Sequence, residues 1–333
     1  MMDEIITLDY GSGGKKTSRL IESMIVPSLS NPVLNELGDG AILPGGERLV
    51  FSTDSFVVDP IFFPGGDIGK LSVCGTVNDI AVCGGVPRFL SCAFIIEEGM
   101  KLSELERIVA SIGEYCEKAG VQVVTGDTKV VEKGRGDGIY INTAGIGVLK
   151  YPGLTPRAIR PGDAVIVSGT VGDHGTAVML ARNGMLRGDI RSDCAPLNAL
   201  TEAILSAGAG VRVLRDPTRG GVATTLNEFV EGSGVGIELD EDAIPVRGEV
   251  RAACDMLGLD PMYCANEGKL LCVVDPGGAE TVLSAMRRTE EGADAAIIGT
   301  VTERYPGRVV MRTGLGGSRI LQKLTGAQLP RIC

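Results

Sequence analysis

The stretch of sequence that decides the fold is STDSFVVDPIFFPGGDIGKLSVCGTVNDIAVCGG, residues 52–85. Its first part belongs to the β-rich run RLVFSTDSFVV, which favours a strand. From Asp67 onward, apolar residues recur at helical spacing, and Gly84 lies where such a helix would end. The pattern therefore predicts a strand, a short connection and a helix that starts near Asp67.

Further alternating elements follow this unit. The runs that suit strands are FLSCAFIIEE (89–98), VQVVTGDTKVV (121–131) and IYINTAGIGVL (139–149). Between the first two lies KLSELERIVASIGEYCEKAG, which has the period of a helix. We expect Ser103 to cap this helix, Glu106 to complete a capping box, and Gly120 to end the helix.

The best candidate for a domain boundary lies between residues 151 and 162, where three prolines occur. Beyond it, DAVIVSGTVG begins a second set of strands and helices whose order is mixed rather than strictly alternating. This order favours an α+β fold over a doubly wound sheet. We predict an N-terminal domain (1–155), a C-terminal α+β domain (156–325) and a flexible tail (326–333).

Composition excludes several classes of function. The formal net charge of −10 opposes binding to nucleic acid or to an anionic membrane, but carboxylates can still hold a nucleotide through Mg²⁺. The acidic N-terminus does not resemble a signal peptide, and no run of 18 apolar residues predicts a membrane span. We expect a cytoplasmic protein.

The eight interior cysteines show no C-x-x-C pair and no His-rich neighbourhood, which argues against zinc or iron–sulfur ligation. Most of them lie among Val, Ala and Gly, and we expect small buried hydrophobic residues. They are Cys74, Cys83, Cys92, Cys116, Cys194, Cys254, Cys264 and Cys272.

A set of aspartates at predicted strand or helix ends is the strongest sign of chemistry. Mg²⁺ in nucleotide sites is held by a few carboxylates together with phosphate oxygens, so aspartates from distant segments can converge on it. Each aspartate taken alone also suits a turn or a helix cap. The set consists of Asp39, Asp54, Asp79, Asp127 and Asp216.

Three glycine-rich polar segments accompany these aspartates. YGSGGKK (10–16) offers backbone N–H groups and lysines to a phosphate, although it lacks the Walker A spacing and also suits a linker. DPTRGG (216–221) and NEGKL (266–270) contain Arg219 and Glu267, which would need partners if they were buried and otherwise suit surface loops. His174 is the one histidine of the chain, and a structural role is the better expectation for it.

With these motifs, the chain resembles the HypE hydrogenase-maturation family. That family shares a superfamily with aminoimidazole ribonucleotide synthetase and selenophosphate synthetase. Cys83 stands where the resemblance leads us to expect an apolar packing residue such as Met. The matching motifs are GSGGK (11–15), LGDGA (37–41), the stretch 52–85, TGDTKVV (125–131), GDHG (172–175), DPTRGG (216–221), YCANEGKL (263–270) and PRIC (330–333).

The resemblance implies two α+β domains of the PurM or AIR-synthetase kind and a flexible tail. It also implies a homodimer formed through the N-terminal domains, with ATP in a groove near that interface. The residues implied for ATP binding are Gly11, Gly13, Gly14, Lys15, Asp39, Asp54, Asp79, Asp127, Thr218 and Arg219. Those implied for Mg²⁺ are Asp39, Asp54, Asp79 and Asp216.

The implied activity is the ATP-dependent dehydration of a carboxamide carried on the thiol of Cys333. The product is a thiocyanate, which supplies cyanide for the iron of nickel–iron (NiFe) hydrogenase. The implied partners are the carbamoyltransferase HypF and a HypC–HypD complex. We expect Lys129 and Glu267 to assist proton removal, with His174 as a weaker candidate.

Two rival functions remain. A superfamily member that phosphorylates a free small molecule would share the fold, but it would not need the terminal PRIC. A non-catalytic scaffold or metal-delivery protein would use the cysteines, and it would bind metal without hydrolysing ATP.

Overall fold

The computed structural model describes residues 5–7, 20–36, 48–184 and 189–324. Helices of the first half are α1 (Val26–Leu29), which continues a π-helical turn (Ile21–Ile25), α2 (Ile68–Val82) and α3 (Leu102–Ala119), and a 3₁₀ turn covers Leu34–Glu36. The strands are β1 (Leu49–Phe56), β2 (Phe62–Phe63), β3 (Gly66–Asp67), β4 (Gly85–Glu97), β5 (Gln122–Val131) and β6 (Ile139–Leu149).

The first sheet has the strand order β1-β6-β4-β5. β6 is antiparallel to both β1 and β4, whereas β4 and β5 are parallel and are joined through α3, as parallel neighbours require. Because side chains alternate along a strand, one face of this sheet meets α2 and α3 with buried residues such as Phe56 and Phe94. The opposite face, here called the open face, exposes Leu49 and Phe51.

α2 is the central helix of the structure. Thirteen of its fifteen residues are buried, so it is covered on every side. It contacts β1, β6 and α3 of its own half and a helix of the second half. Although α2 is apolar all round, none of the described helices combines the length and hydropathy needed to cross a bilayer.

The ends of α2 and α3 test the predicted caps. α2 starts directly after Asp67, as predicted, and Asp67 caps it by accepting a hydrogen bond from the Lys70 amide at 3.0 Å. Gly120 ends α3 with a φ of +68°, so the predicted start of α2 and the predicted end of α3 are confirmed. The predicted capping box is wrong. α3 begins at Leu102 after Lys101, and no side-chain bond caps it, because the chain becomes helical before Ser103.

The described part of the second half, from residue 156 onward, includes five helices. They are α4 (Asp173–Arg182), α5 (Asn198–Ser206), α6 (Gly221–Val230), α7 (Gly248–Leu257) and α8 (Ala279–Met286), with 3₁₀ turns at Pro156–Ala158, Glu241–Ala243, Pro261–Tyr263 and Pro276–Gly278. The strands are β7 (Ala164–Val167), β8 (Val211–Arg215), β9 (Gly236–Asp240), β10 (Leu271–Val274), β11 (Ala296–Thr302), β12 (Val309–Arg312) and β13 (Ser318–Leu321).

The second sheet has the order β13-β12-β9-β11-β7-β10-β8. β9 and β12 run parallel, and the other pairs are antiparallel. Two mixed sheets, each with its own helices, confirm the predicted α+β class. The connection between the sheets runs from Leu149 to Ala164, and the domain limits at 155 and 325 stay a prediction.

The two halves share buried surface rather than meeting only at a linker. Val178, Cys194 and Ala265 of the second half belong to the hydrophobic core built around α2 and α3. The backbone amide of Ser192 donates a hydrogen bond to the carbonyl of Pro64 at 2.8 Å. The position of α2 is therefore fixed by both halves.

The described cysteines largely follow the expectation of small buried hydrophobic residues. All of the eight interior cysteines except Cys83 are buried. The expectation that Cys83 occupies an apolar packing position is wrong. Cys83 is exposed at the C-terminal end of α2, just before the chain turns through Gly84 with a φ of +81°.

The observed caps predict a stability difference. Asp67→Ala removes the acceptor that satisfies an amide of the first turn of α2, and we expect a loss of about 1–2 kcal/mol in unfolding free energy. Ser103→Ala is the matched control, because Ser103 is exposed and caps nothing, and it should change stability by less than about 0.5 kcal/mol. Urea denaturation measures both values, and equal losses would contradict the observed cap.

Candidate active site

Three of the predicted aspartates converge from three different elements. Asp54 lies on β1, on the face that α2 covers, and Asp79 lies in the last turn of α2. Asp216 directly follows β8 of the second half and is buried. The hydroxyl of Ser52 donates a hydrogen bond to Asp79 Oδ2 at 2.7 Å and fixes that carboxylate beside β1. We call Asp54, Asp79 and Asp216 the aspartate cluster.

The carboxyl groups of the aspartate cluster lie close enough to repel one another electrostatically. Burial raises the pKa of all three carboxyl groups, and the pKa of Asp216 rises to about 7. The charge of Asp54 further raises the pKa of the other two. Arg219, which is exposed, lowers the pKa of Asp54 and of Asp79. Positive charge brought to this cluster would relieve the repulsion and stabilise the carboxylate forms.

The donor set of the aspartate cluster fits Mg²⁺. This ion prefers carboxylate oxygens and completes its shell with water and phosphate oxygens. Within the described ranges, no group of three or more Asp, Glu, His or Cys side chains is placed so that it could hold a metal ion. Phosphate oxygens would therefore have to supply part of the coordination, as they do in nucleotide sites.

The buried side chain of Asn78 joins the two halves next to the aspartate cluster. Its Nδ2 donates to the carbonyl of Ala195 at 3.1 Å and to the carbonyl of Glu267 at 3.3 Å. Its Oδ1 accepts from the amide of Leu197 at 2.7 Å. Since Asp79 is the next residue of α2, Asn78 holds the helix that carries Asp79 against the loop that carries Glu267.

Asn266 joins three motifs of the second half. Its Nδ2 and its backbone amide both donate to the carbonyl of Pro217, at 3.2 and 3.1 Å. Its Oδ1 accepts from the amide of Gly172 at 2.8 Å. The motifs GDHG, DPTRGG and YCANEGKL, which are far apart in sequence, are therefore tied to one fully buried amide.

Glu267 lies in the loop that these two asparagines hold. It is buried, and this burial, followed by the charges of Cys194 and Asp216, raises its pKa well above the ordinary value. Its backbone amide donates to Asp193 Oδ1 at 3.1 Å, and the second oxygen of Asp193 lies 3.9 Å from Lys269 Nζ. A carboxyl group of raised pKa, held rigidly beside an acidic cluster, is suited to proton transfer.

Lys129 and Asp127 lie on the other side of the first sheet. Both belong to β5, the edge strand opposite β1, and both are exposed. Lys129 pairs with Ile95 of β4, whose side chain is 44% exposed on the open face. The sheet therefore separates Lys129 from Asp54 within one chain. Asp127 lies in the middle of β5, not at a strand end as predicted.

His174 lies in the first turn of α4 and is fully buried. Its Nδ1 is 2.8 Å from the hydroxyl of Ser192, and its ring meets Phe63 of the first half edge to face at a centroid distance of 5.4 Å. These contacts place His174 in the packing between the halves, as the expected structural role requires.

The other predicted site residues divide into described and undescribed ones. Thr218 is partly buried, and its carbonyl accepts a hydrogen bond from the amide of Gly221 at 3.0 Å in the turn before α6. Asn78, Asn266 and Asp193 were missed as site residues, although the first two lie within quoted motifs. The residues that lie outside the described ranges are Gly11, Gly13, Gly14, Lys15, Asp39 and Cys333.

Comparison with known families defines the class of protein. Residues 37–149 match the family profile "AIR synthase related protein, N-terminal domain", and residues 160–312 match "AIR synthase related protein, C-terminal domain". These two domains agree with the two mixed sheets and confirm the predicted AIR-synthetase-like fold.

Similar proteins of known description indicate which family of AIR synthase related proteins the chain belongs to. The chain is 50% identical to "Carbamoyl dehydratase HypE" of Cupriavidus necator, with 98% of this chain and 95% of the relative covered. It is 46% identical to the protein of the same description from Escherichia coli, with 98% and 99% covered. The chain therefore belongs to the HypE family of AIR synthase related proteins.

Solved structures agree with this assignment. A crystal structure described as HypE in complex with ATP has a TM-score of 0.94 and 49% identity, over 98% of this chain and 99% of that one. A structure described as a HypE–HypF complex has a TM-score of 0.79 and 49% identity, over 91% and 99%.

The Asn78 junction predicts a further stability difference. Asn78→Ala removes three hydrogen bonds and takes away the acceptor of the buried Leu197 amide, so we expect a loss of about 1–3 kcal/mol in unfolding free energy. Asn35→Ala is the control, because among the described residues the side-chain amide of Asn35 bonds only to the exposed Ser30 hydroxyl, and its effect should stay below about 0.5 kcal/mol. Comparable losses in thermal unfolding would contradict the role of Asn78 as a junction.

Proposed function

We propose that this chain is an ATP-dependent carbamoyl dehydratase of hydrogenase maturation, which converts an S-carboxamide on its own Cys333 into a thiocyanate. The thiocyanate supplies cyanide for the iron of NiFe hydrogenase. One observation carries the proposal: Asn78 holds Asp79, a member of the aspartate cluster suited to Mg²⁺–ATP, against the loop of the buried Glu267. The reaction needs both a phosphoryl donor and a proton acceptor, and this junction supports a single site for the two.

The first step activates the carboxamide oxygen. Oxide is a poor leaving group, so the oxygen attacks the γ-phosphorus of ATP, the bond from that phosphorus to ADP breaks, and one N–H proton is lost. The intermediate is an S-linked phosphorylated imidate, and ADP is released. Phosphoryl transfer mainly requires positioning and charge neutralisation. Asp54, Asp79 and Asp216 would hold Mg²⁺, which supplies that neutralisation when bound, and Arg219 lies beside them.

The second step forms the nitrile. The carbon–oxygen bond breaks and phosphate leaves, while the remaining N–H proton is removed and the C≡N bond closes. Glu267 is the group that we assign to proton removal, because it is a buried carboxyl close to the aspartate cluster. Its raised pKa makes it a stronger base once it is ionised.

ATP binding is supported by a close structural relative, which is described as HypE in complex with ATP. In this chain, the glycines of GSGGK and Lys15 would close over the phosphates, with Asp39 and Thr218 completing the set of binding groups. Asp127 would belong to the same set only if a second protomer brought it there, because it lies on the open face.

Cys333 is the carrier in this proposal, and it must meet more than one protein. A transferase loads the carbamoyl group, and the relative described as a HypE–HypF complex supports HypF in this role. The cyanide then passes to a HypC–HypD complex. The interior cysteines other than Cys83 are buried, so a separate transferase cannot reach their thiols.

A homodimer through the first sheet is part of the proposal. The open face exposes four large apolar side chains, Leu49, Phe51, Ile95 and Val148, with exposed fractions from 40% to 67%. Leu49 and Val148 are direct neighbours in the strand register, whereas Ile95 lies further along β4 on the same face. Exposed apolar side chains that share one face of a sheet mark a candidate interaction site. A second copy of the same sheet would cover it with a surface of the same apolar character.

The homodimer also gives a role to Lys129. Within one chain the first sheet separates Lys129 from Glu267, whereas a second protomer against the open face would place its own Lys129 at the edge of the shared interface. We therefore propose that each site combines Glu267 of one protomer with Lys129 of the other. The carboxylate then accepts a proton while the ammonium group neutralises phosphate charge.

Mixed dimers test the composite site. One chain carries Lys129→Ala and a differently tagged partner carries Glu267→Gln, and dimers with both tags are isolated. Such a dimer retains one site with both groups intact, so it should form thiocyanate on one of its tails, whereas each parent homodimer should form almost none. If the mixed dimer is as inactive as its parents, or if no dimer forms, the composite site is wrong.

Intact mass spectrometry tests the reaction. The chain is first loaded by the transferase and then mixed with Mg²⁺–ATP. We expect its mass to fall by one water, with the change mapped to Cys333. Cys333→Ala should keep its fold and ATP binding, but it should take up no carbamoyl group. Uptake at Cys74, Cys83 or Cys264, or a stable mass after ATP, would contradict the proposed function.

A further inference from the structure

The last described residues of the chain are fixed to the two loops of the candidate site. After β13, the backbone from Leu321 to Leu324 runs beside α6 and the 3₁₀ turn Pro261–Tyr263. α6 directly follows the DPTRGG motif, and the 3₁₀ turn leads directly into the loop of Glu267. We call Leu321–Leu324 the tail root, because the segment that ends at Cys333 starts from it.

Tyr263 holds the tail root at Gln322. Its hydroxyl donates to the carbonyl of Gln322 at 3.0 Å and accepts from the amide of the same residue at 3.1 Å. A single side chain thus satisfies both backbone groups of one residue, as a neighbouring strand would. Tyr263 precedes Glu267 by four residues, and Asn266 fixes the loop between them.

α6 holds the tail root at two further points. Asn227 Nδ2 donates to the carbonyl of Leu321 at 3.0 Å, and the hydroxyl of Thr224 accepts from the amide of Leu324 at 3.3 Å. The same hydroxyl lies against Gly220, where a Cβ would collide with it, so only glycine fits in the motif at this position. Thr224 therefore touches the DPTRGG motif on one side and the tail root on the other.

Ion pairs contribute less to this attachment. Lys323 Nζ lies 3.1 Å from Glu231 and 3.5 Å from Glu228; Lys323 and Glu231 are exposed, and Glu228 is partly exposed. Exposed ion pairs are worth about 0–1 kcal/mol. The directional bonds of Tyr263, Asn227 and Thr224 to the backbone are therefore the specific part of the attachment.

We propose that Tyr263, Thr224 and Asn227 are positioning residues that fix the point from which the carrier segment returns to the site. The inference rests on the proposed function, because it treats Cys333 as the carrier. Nine residues separate the tail root from the end of Cys333, and a chain of this length spans roughly 30 Å at most. Because the tail root is fixed beside the DPTRGG and Glu267 loops, the region that the segment can reach from it includes the candidate site.

The attachment matters because the reaction is intramolecular. The effective concentration of a tethered group falls as its tether lengthens, and a released root adds at least four residues to the tether. Loss of a fixed chain direction at the tail root lowers the effective concentration of the tethered group further. Catalysis itself should be unaffected, because none of the three side chains touches the reacting atoms in this assignment.

The test separates positioning from catalysis by comparing reactions in cis and in trans. Tyr263→Phe and Thr224→Val each remove a hydroxyl with little change in shape. Single-turnover dehydration of the chain's own loaded tail should slow by about threefold or more in the double variant. Dehydration of a synthetic peptide of residues 325–333 with an S-carboxamide cysteine, tested in a Cys333→Ala background, should be unchanged, as should affinity for Mg²⁺–ATP. Tyr305→Phe is the control, because its hydroxyl meets only exposed Arg304 among the bonds described for it.

Hydrogen exchange gives a readout without activity. The amides of Gln322 and Leu324 should exchange slowly in the unaltered chain and faster in the double variant. The positioning role would be overturned if the double variant dehydrated its own tail at the unaltered rate, or if the exchange of the Gln322 and Leu324 amides were unchanged. It would also be overturned if the rate with the tail, the rate with the peptide and the affinity for ATP all fell equally. If the unaltered chain does not dehydrate its loaded tail at all, the proposed function fails instead, and exchange alone then decides whether the root is held.

Discussion

The buried amide of Asn78 is the interaction on which the candidate site depends. Its three hydrogen bonds reach across the junction of the two halves and fix α2 to the loop of Glu267. Two mixed sheets could each fold around their own core without placing any chemistry between them. Asn78 and, on the second half, Asn266 convert the junction into a defined site. The buried amides are satisfied on both sides, so a shift of either half would leave polar groups unpaired at a substantial cost.

This constraint explains why acidic groups can be concentrated here. Asp54, Asp79 and Asp216 oppose one another, and burial further disfavours their charged forms. Without a ligand, the charged forms of these carboxyl groups are destabilised. A cation that binds together with a nucleotide would reduce the repulsion among them. The hydrogen bonds of the junction and the apolar packing of α2, thirteen residues of which are buried, offset the free-energy cost of holding these acidic groups together.

Much of the first half could be predicted from sequence, because its signals are local. The cap at Asp67 and the left-handed Gly120 follow from rules that concern neighbouring residues. The prediction that Ser103 caps α3 was wrong because several polar residues suit a helix start, and the helix begins one residue before Ser103. The convergence of the aspartate cluster was inferred from oxygen-ligand chemistry and resemblance, and the three described members do interact.

Other features depend on long-range contacts that no local pattern encodes. Lys129 lies in a quoted motif, yet its place on the open face follows from the register of β4 and β5. Asn78 and Asn266 carry no charge and give no local signal of chemistry, yet their neutral amides organise the site through long-range hydrogen bonds. The anchors of the tail root could not be anticipated, since Tyr263 and Gln322 are 59 residues apart in sequence.

The central claim is that the site transfers a phosphoryl group to the carboxamide oxygen before that oxygen leaves. An isotope measurement tests it most directly: the loaded tail is prepared with ¹⁸O in the carboxamide and is then turned over once with Mg²⁺–ATP in unlabelled water. We expect the label to appear in the released inorganic phosphate, in an amount equal to the thiocyanate formed. Label that appears in water, with unlabelled phosphate, would contradict it.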